Sequence, residues 1–173
     1  MELTREIVRR FHHLYQKEIF PEPEAILTKS PRVPGLDGRK MSKSYDNCIY
    51  LSDSREVVDK KVRTMVTDPA RKKREDKGHP EVCPVYFHHG FFNVSQVAKV
   101  AQECREALRG CVECKIEMAG ALNEFLDPIR SRREEWTKQK TELKEILSRG
   151  KERARQVAAK TLEETMRVMG LRK

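Results

Sequence analysis

The carboxyl-terminal part of the chain keeps a helical spacing of apolar residues, and this pattern limits the fold more than any other feature. The apolar positions there recur three or four residues apart, at Ala154, Val157, Ala158, Leu162, Met166 and Met169. Side chains at these intervals lie on one face of an α-helix, which is stable when that face packs against another element. The pattern begins at Pro128, with breaks expected at Asp127-Pro128 and near Gly150, and predicts a bundle of helices.

Four earlier segments show the same spacing. The predicted helices cover about residues 2 to 19, 53 to 67, 95 to 110 and 114 to 126. Ser95 is expected to cap the third of them, because a serine side chain accepts a hydrogen bond from a free N–H group at a helix start. Between the first two, prolines and glycines interrupt the pattern from Phe20 to Gly38. The apolar run Ala25-Ile26-Leu27 within this stretch predicts one short strand.

The chain is basic, and the charge is concentrated toward its carboxyl terminus. The 173 residues include 36 Lys or Arg and 27 Asp or Glu, which gives a net charge of +9. Nucleic acid is the commonest anionic partner of a basic domain, although a solvated basic helix face explains the charge equally well. No apolar run is long enough to span a membrane, and the first residues do not form a signal peptide. We therefore expect a cytoplasmic chain with no membrane partner.

Four of the five cysteines have a spacing that suits metal ligation. Twenty, six and two residues separate Cys83, Cys104, Cys111 and Cys114, whereas Cys48 lies apart. Two thiolates with two residues between them reach one metal centre, and a helix and a loop bring in the other pair. Three interpretations stay open from the residues: an iron–sulfur cluster, a structural zinc ion, or four unligated thiols, with Cys104 as a core residue.

The pentapeptide Lys40-Met41-Ser42-Lys43-Ser44 is the candidate substrate loop. It comes just after Gly35-Leu36-Asp37-Gly38, in a segment expected to be exposed and mobile. Two lysines three positions apart, with hydroxyl groups between and after them, suit a polyphosphate: the ammonium groups offset its charge and the hydroxyl groups donate hydrogen bonds. Such contacts speed a reaction when they tighten on a leaving pyrophosphate. A generic loop rich in Lys and Ser is otherwise a solvated connector.

This pentapeptide is the second signature of class I aminoacyl-tRNA synthetases, and the whole chain resembles the latter part of the bacterial tryptophanyl-tRNA synthetases. The matching stretches are Glu2 to Ile7, Arg32 to Gly38, Thr67 to Arg71, Pro80 to Val85 and Pro128 to Arg130. The resemblance implies a mainly α chain with two parts. Residues 1–50 would be the end of a Rossmann-like catalytic domain that carries the signature loop. Residues 51–173 would be a helical domain that binds the tRNA anticodon.

The resemblance also implies an activity and its substrates. Family members use ATP with Mg²⁺ to activate L-tryptophan and transfer it to tRNA(Trp), and they are homodimers. Lys40 and Lys43 are implied as catalytic. The implied nucleotide-binding residues are Val33, beside the adenine, and Lys40, Met41, Ser42, Lys43 and Ser44. Some members carry a four-iron four-sulfur cluster, for which Cys83, Cys104, Cys111 and Cys114 are the implied ligands.

The chain departs from the family by what it lacks. The earlier His-Ile-Gly-His type motif and the indole pocket do not occur, and His12-His13 lies within a predicted helix without the glycine. We therefore expect the isolated chain to be unable to form tryptophanyl-adenylate. The alternatives are a tyrosyl-tRNA synthetase fragment and a freestanding, metal-stabilised RNA-binding module. In the helical domain, the predicted contacts to RNA phosphates are Arg130, Arg132, Arg133, Lys138, Lys140 and Lys144.

Overall fold

Most of the chain is helical. The computed structural model describes residues 1–28 and 30–172. The α-helices found there are α1 (Glu2–Tyr15), α2 (Arg55–Thr64), α3 (Pro84–Phe92), α4 (Val97–Arg105), α5 (Cys111–Lys138) and α6 (Lys140–Val168). Short 3₁₀ turns cover Lys43–Tyr45, Pro80–Val82 and Val94–Gln96. No helix among the described residues has the length and apolar character needed to cross a bilayer. The mainly helical fold that the sequence predicts is confirmed.

The described residues form two compact units. One comprises the described parts of Met1–Lys29 and Trp136–Lys173, and the other is Ser30–Glu135. The second unit contains the signature pentapeptide, the helices α2, α3 and α4, and all four cysteines of the predicted metal centre. The predicted functional boundary after residue 50 stays a prediction.

An apolar core holds the second unit together. Its fully buried side chains come from α2 and the residue after it, from α3 and from α5: Val58, Val62, Met65, Val85, Met118, Ala119, Leu122 and Leu126. Leu36 and Ile49, which lie on either side of the signature pentapeptide, pack against this core while remaining partly exposed. The burial of Leu36 and Ile49 therefore anchors the segment that carries the pentapeptide to the helices.

The two predicted breaks in the carboxyl-terminal helices are wrong. Helix α5 continues through Pro128, and α6 continues through Gly150. Arg130 bridges the first of these positions, since its guanidinium donates hydrogen bonds to Asp127 on the preceding turn at 2.9 Å and to Asn123, two turns before it, at 2.8 Å. These bonds offset the backbone hydrogen bond that proline removes. The chain instead breaks at Gln139, between α5 and α6.

Two smaller predictions are also wrong. The run Ala25 to Leu27 is irregular, and no strand pairs with it within residues 1–28 and 30–172; Ile26 is 98% exposed. Ser95 lies in a 3₁₀ turn, and α4 begins at Val97 without a side-chain cap. Helix α3 was not predicted. Its first residue, Pro84, was the available signal, because proline suits the first position of a helix.

Candidate functional site

The signature pentapeptide begins on one arm of a short hairpin. Pro34 and Lys40 pair as an antiparallel bridge, and the backbone N–H group of Met41 donates to the carbonyl of Val33 at 2.8 Å. Gly38 forms the turn with φ at 79°, a left-handed conformation that glycine adopts without strain. The backbone of Lys40 is therefore held in register with the other arm of the hairpin, and the predicted mobility of the loop stays a prediction. The predicted contact of Val33 with adenine stays a prediction.

The second half of the pentapeptide forms a tight turn. Lys43, Ser44 and Tyr45 make one 3₁₀ turn, and the hydroxyl oxygen of Ser42 accepts a hydrogen bond from the N–H group of Ser44 at 3.3 Å. The side chains of Lys40, Lys43 and Ser44 are exposed. The structure therefore places two ammonium groups and a hydroxyl group within six residues of ordered backbone, where a charged ligand can reach them from solvent.

Lys40 also borders a cavity that favours an anion. The cavity has a volume of about 240 Å³, and Arg32, Lys40 and Glu81 are the charged residues that line it. Glu81 is ion-paired with Arg105, and this hydrogen bond holds the pKa of Glu81 below its ordinary value. Because the acidic side chain is already neutralised by Arg105, the two cations give the cavity a positive balance. Arg32 was not predicted as a site residue, although it directly precedes Val33.

His88 joins the hairpin to α3. Its side chain is 3% exposed, and its Nε2 lies 2.9 Å from the carbonyl oxygen of Pro34. A carbonyl oxygen only accepts, so Nε2 carries the proton and donates it. Burial lowers the pKa of His88. The buried ring is therefore neutral, and it fixes one arm of the hairpin to the helix.

Acidification is expected to destabilise this chain below about pH 6.5, the ordinary pKa of histidine. The folded chain resists protonating His88, so the unfolded chain takes up the proton first as the pH falls, and stability decreases. Above the unfolded pKa this contribution is fully present. His89, whose pKa burial also lowers, acts in the same direction.

The measurement is the free energy of unfolding in urea between about pH 8 and pH 5. His88→Gln keeps an amide donor for Pro34 and cannot titrate in this range. The variant is expected to lose less stability on acidification than the parent chain, and an equal loss in both proteins would contradict the role given to His88.

The four predicted metal ligands line one small cavity. Its volume is about 20 Å³, room for about one water molecule, and its walls include Cys83, Cys104, Cys111 and Cys114. Burial raises the pKa of Cys114 to about 12, so that side chain is a protonated thiol at neutral pH. The guanidinium of Arg71 lies 3.8 Å from the sulfur of Cys104. The structure therefore places the four cysteines that the spacing singled out around one cavity.

The side-chain arrangement does not by itself form a metal centre. Among residues 1–28 and 30–172, no three His, Cys, Asp or Glu side chains are arranged to hold a metal ion. A structural zinc ion needs four ligand atoms at about 2.0–2.3 Å from one point. The zinc alternative therefore does not fit the side chains as they lie, and the iron–sulfur prediction is not supported by this geometry.

The predicted RNA contacts differ in how exposed their side chains are. Arg130 is largely buried, because its guanidinium donates to the carbonyl of Asp53 as well as to Asp127 and Asn123. These contacts make Arg130 a link between α5 and the segment before α2. The other predicted cations are exposed: Arg132, Arg133, Lys138, Lys140 and Lys144.

Comparisons with known proteins agree on one kind of relative. A family model described as tRNA synthetases class I (W and Y) matches residues 1–127. A tryptophan–tRNA ligase of Aquifex aeolicus is 49% identical over 173 residues, which cover 99% of this chain and 44% of the relative. The corresponding enzyme of Thermotoga maritima is 44% identical over 99% of this chain and 52% of its own length. This chain therefore spans about half the length of these curated relatives.

A solved structure is similar over almost the whole chain. The crystal structure of tryptophanyl-tRNA synthetase from Campylobacter jejuni, complexed with ADP and tryptophan, matches with a TM-score of 0.77 and 28% sequence identity. The match covers 98% of this chain and 53% of that structure.

Proposed function

Because the chain belongs to the class I tRNA synthetase family of tryptophan and tyrosine enzymes, we propose that it supplies the carboxyl-terminal part of a tryptophan–tRNA ligase. The complete enzyme would use ATP with Mg²⁺ to activate L-tryptophan and would then transfer it to tRNA(Trp). The observation that carries this proposal is the ordered hairpin, which presents Lys40, Lys43 and Ser44 to solvent.

The hairpin residues suit the activation step. In that step the tryptophan carboxylate attacks the α-phosphorus of ATP, an aminoacyl-adenylate forms, and the bond to pyrophosphate breaks. Negative charge builds up on the departing pyrophosphate. The ammonium groups of Lys40 and Lys43 would donate hydrogen bonds to its oxygens, and the Ser44 hydroxyl would add a third. The positive cavity beside Lys40 would favour the same charge.

Tryptophan is proposed as the substrate over tyrosine, the other amino acid of the family. The relatives that match 99% of the chain are tryptophan–tRNA ligases, and the Campylobacter jejuni structure holds tryptophan. The test is ATP–pyrophosphate exchange by a complete ligase that contains this chain, with each amino acid in turn. Exchange that depends on tryptophan is expected. Exchange with tyrosine alone would support the tyrosyl alternative.

The freestanding RNA-binding module is the second alternative. In that alternative the lysine hairpin would contact RNA phosphates only, and nucleotide activation would play no part. In our proposal the exposed cations Arg132, Arg133, Lys138, Lys140 and Lys144 contact tRNA phosphates, the complete enzyme is a homodimer, and it is cytoplasmic. Phosphate contacts release counterions, so affinity for tRNA should fall steeply as salt is raised.

We further propose that Cys83, Cys104, Cys111 and Cys114 ligate a four-iron four-sulfur cluster. Two observations support this: all four thiols line one cavity, and Arg71 and Arg109 border it and would offset the negative charge of the thiolates. The present volume holds about one water molecule, so loading would require the thiols to move apart and lose their protons. The cluster would fasten the start of α5 to α4 and the loop before α3.

Iron analysis tests the cluster directly. Protein purified without oxygen is expected to be brown and to contain about four iron and four sulfide ions per chain. Cys111→Ser should remove most of the iron. Cys48→Ser is the matched control, because Cys48 is a buried free thiol outside this cavity. Colourless protein without iron, or protein with stoichiometric zinc, would overturn the cluster and leave the ligase proposal intact.

A further inference from the structure

The buried side chain of Asn47 holds the backbone of the hairpin that carries the signature pentapeptide. This side chain is 3% exposed. The amide nitrogen donates hydrogen bonds to the carboxylate of Asp37 at 2.7 Å and to the carbonyl oxygen of Lys40 at 3.2 Å. The amide oxygen accepts a hydrogen bond from the backbone N–H group of Ser42 at 2.8 Å. One buried side chain therefore fixes the backbone on both sides of Met41.

The amide is the group that can make all of these contacts. It offers two N–H donors and one carbonyl acceptor, and each has a partner here. A carboxylate at this position would keep the acceptor for Ser42, but it would face Asp37 with a second negative charge and lose the donor to Lys40. A buried polar group that loses its hydrogen-bond partner is destabilising, so the hairpin has little freedom to leave this arrangement.

Gly35, on the other arm of the hairpin, leaves room for Asn47. A Cβ atom added to Gly35 would lie 2.4 Å from the side-chain amide carbon and nitrogen of Asn47 and 2.7 Å from its backbone carbonyl oxygen. The same backbone carbonyl accepts a hydrogen bond from the N–H group of Leu36 at 3.0 Å. Gly35 is therefore required for the close approach, and the two arms and Asn47 form one interlocked unit.

Asn47 itself is buried and does not reach a ligand in solvent, whereas Lys40 and Lys43 are exposed. Its effect on chemistry would act through the backbone it holds. We propose that Asn47 is a positioning residue for amino-acid activation, which fixes Lys40 and the following turn so that the lysines meet the leaving pyrophosphate without further ordering. This inference rests on the proposed ligase function.

The first test is Asn47→Ala in a complete ligase that contains this chain. We expect kcat for tryptophan activation to fall about tenfold to a hundredfold, because small displacements of a catalytic group have effects of this size. The KM for tryptophan should not change, since the amino acid does not contact this hairpin in our proposal. Asn47→Asp is the second variant, to be used if the alanine variant does not fold, and it should change kcat in the same direction.

Asn123→Ala is the matched control. Asn123 is also buried, at 2% exposure, and its amide bonds to Asp59 at 2.9 Å and to Arg130 at 2.8 Å. The same substitution there should lower the melting temperature without slowing activation at a temperature where both variants are folded. Equal losses of kcat in both variants would mean that Asn47 has only a structural role.

A combined variant separates this inference from the function on which it rests. If Asn47 acts through the two lysines, adding Asn47→Ala to Lys40→Ala and Lys43→Ala should slow activation little further. If Asn47→Ala slows that variant by the same factor as it slows the parent enzyme, the positioning role is wrong. If Lys40→Ala alone leaves activation unchanged, the proposed function of the hairpin fails instead.

Discussion

Replacing Lys40 and Lys43 together by alanine is expected to slow tryptophan activation by the complete ligase about a thousandfold. Each ammonium group would stabilise charge that appears only as pyrophosphate leaves, and removal of one such donor typically slows a reaction about 10²–10³-fold. The two effects need not multiply, because both lysines act on one leaving group. The measurement is the single-turnover rate of adenylate formation at saturating ATP.

The control for this variant removes two lysines that have no part in the proposed site. Lys60 on α2 and Lys151 on α6 are exposed, and their replacement by alanine lowers the net charge by the same amount. We expect that control to activate tryptophan at the parental rate. A control as slow as the hairpin variant would show that net charge, and not the hairpin, is responsible.

The second large effect concerns stability. Arg109→Ala is expected to lower the free energy of unfolding by about 3 kcal/mol, since it removes one partner of a buried charged cluster. Arg109 is 5% exposed, and its guanidinium forms ion pairs with Glu103 on α4 and with Glu117 on α5. Burial alone would raise the pKa of Glu117, but Arg109 and Asn93 hold it below its ordinary value. Without Arg109, the carboxylates of Glu103 and Glu117 lose the guanidinium that joins them.

Arg105→Ala is the natural comparison for this variant. Arg105 also forms one ion pair, with Glu81, but both side chains are more than half exposed. Solvent screens such a pair, so its removal should cost much less stability than the removal of Arg109. Urea denaturation of the two variants at neutral pH measures the difference. Equal losses would contradict the claim that Arg109 is the link between α4 and α5.

The sequence singled out the pentapeptide in the hairpin as a nucleotide-binding segment. It did not reveal the contacts that hold the backbone of this segment. The pentapeptide was recognised from its composition and spacing, because phosphate binding needs specific side chains. Asn47 and His88 were missed, and each makes its contribution through a contact made only in the fold. His88 lies 54 positions from its partner Pro34. Periodicity describes one segment at a time and carries no information about such contacts.

The helices show the same limit. Apolar spacing located α1, α2 and α4, and it indicated the helical character of α5 and α6 but not their bounds. Helix α3 left a weaker trace, because polar and apolar residues bury together on it: His88, His89 and Val85 are all buried. The break expected at Pro128 did not occur, because Arg130 reaches back across the proline to Asn123 and Asp127. A local signal was overridden by side-chain contacts.

The cysteines divide in a similar way. Four of them, which the spacing singled out, line one cavity, whereas the fifth, Cys48, lies outside it. Spacing fixes which thiols can meet, but the distances among them depend on how the helix ends and the loop pack. Ligation therefore stays a matter for iron analysis.

The proposed role of this chain in a tryptophan–tRNA ligase is tested most directly by tryptophan-dependent exchange of pyrophosphate into ATP, measured on three samples. These are this chain alone, the preceding half of a tryptophan–tRNA ligase alone, and the two joined in one polypeptide. We predict exchange by the joined protein only, because Lys40 and Lys43 would act on a nucleotide and an amino acid that the other half binds. Robust exchange by residues 1–173 alone would contradict the account.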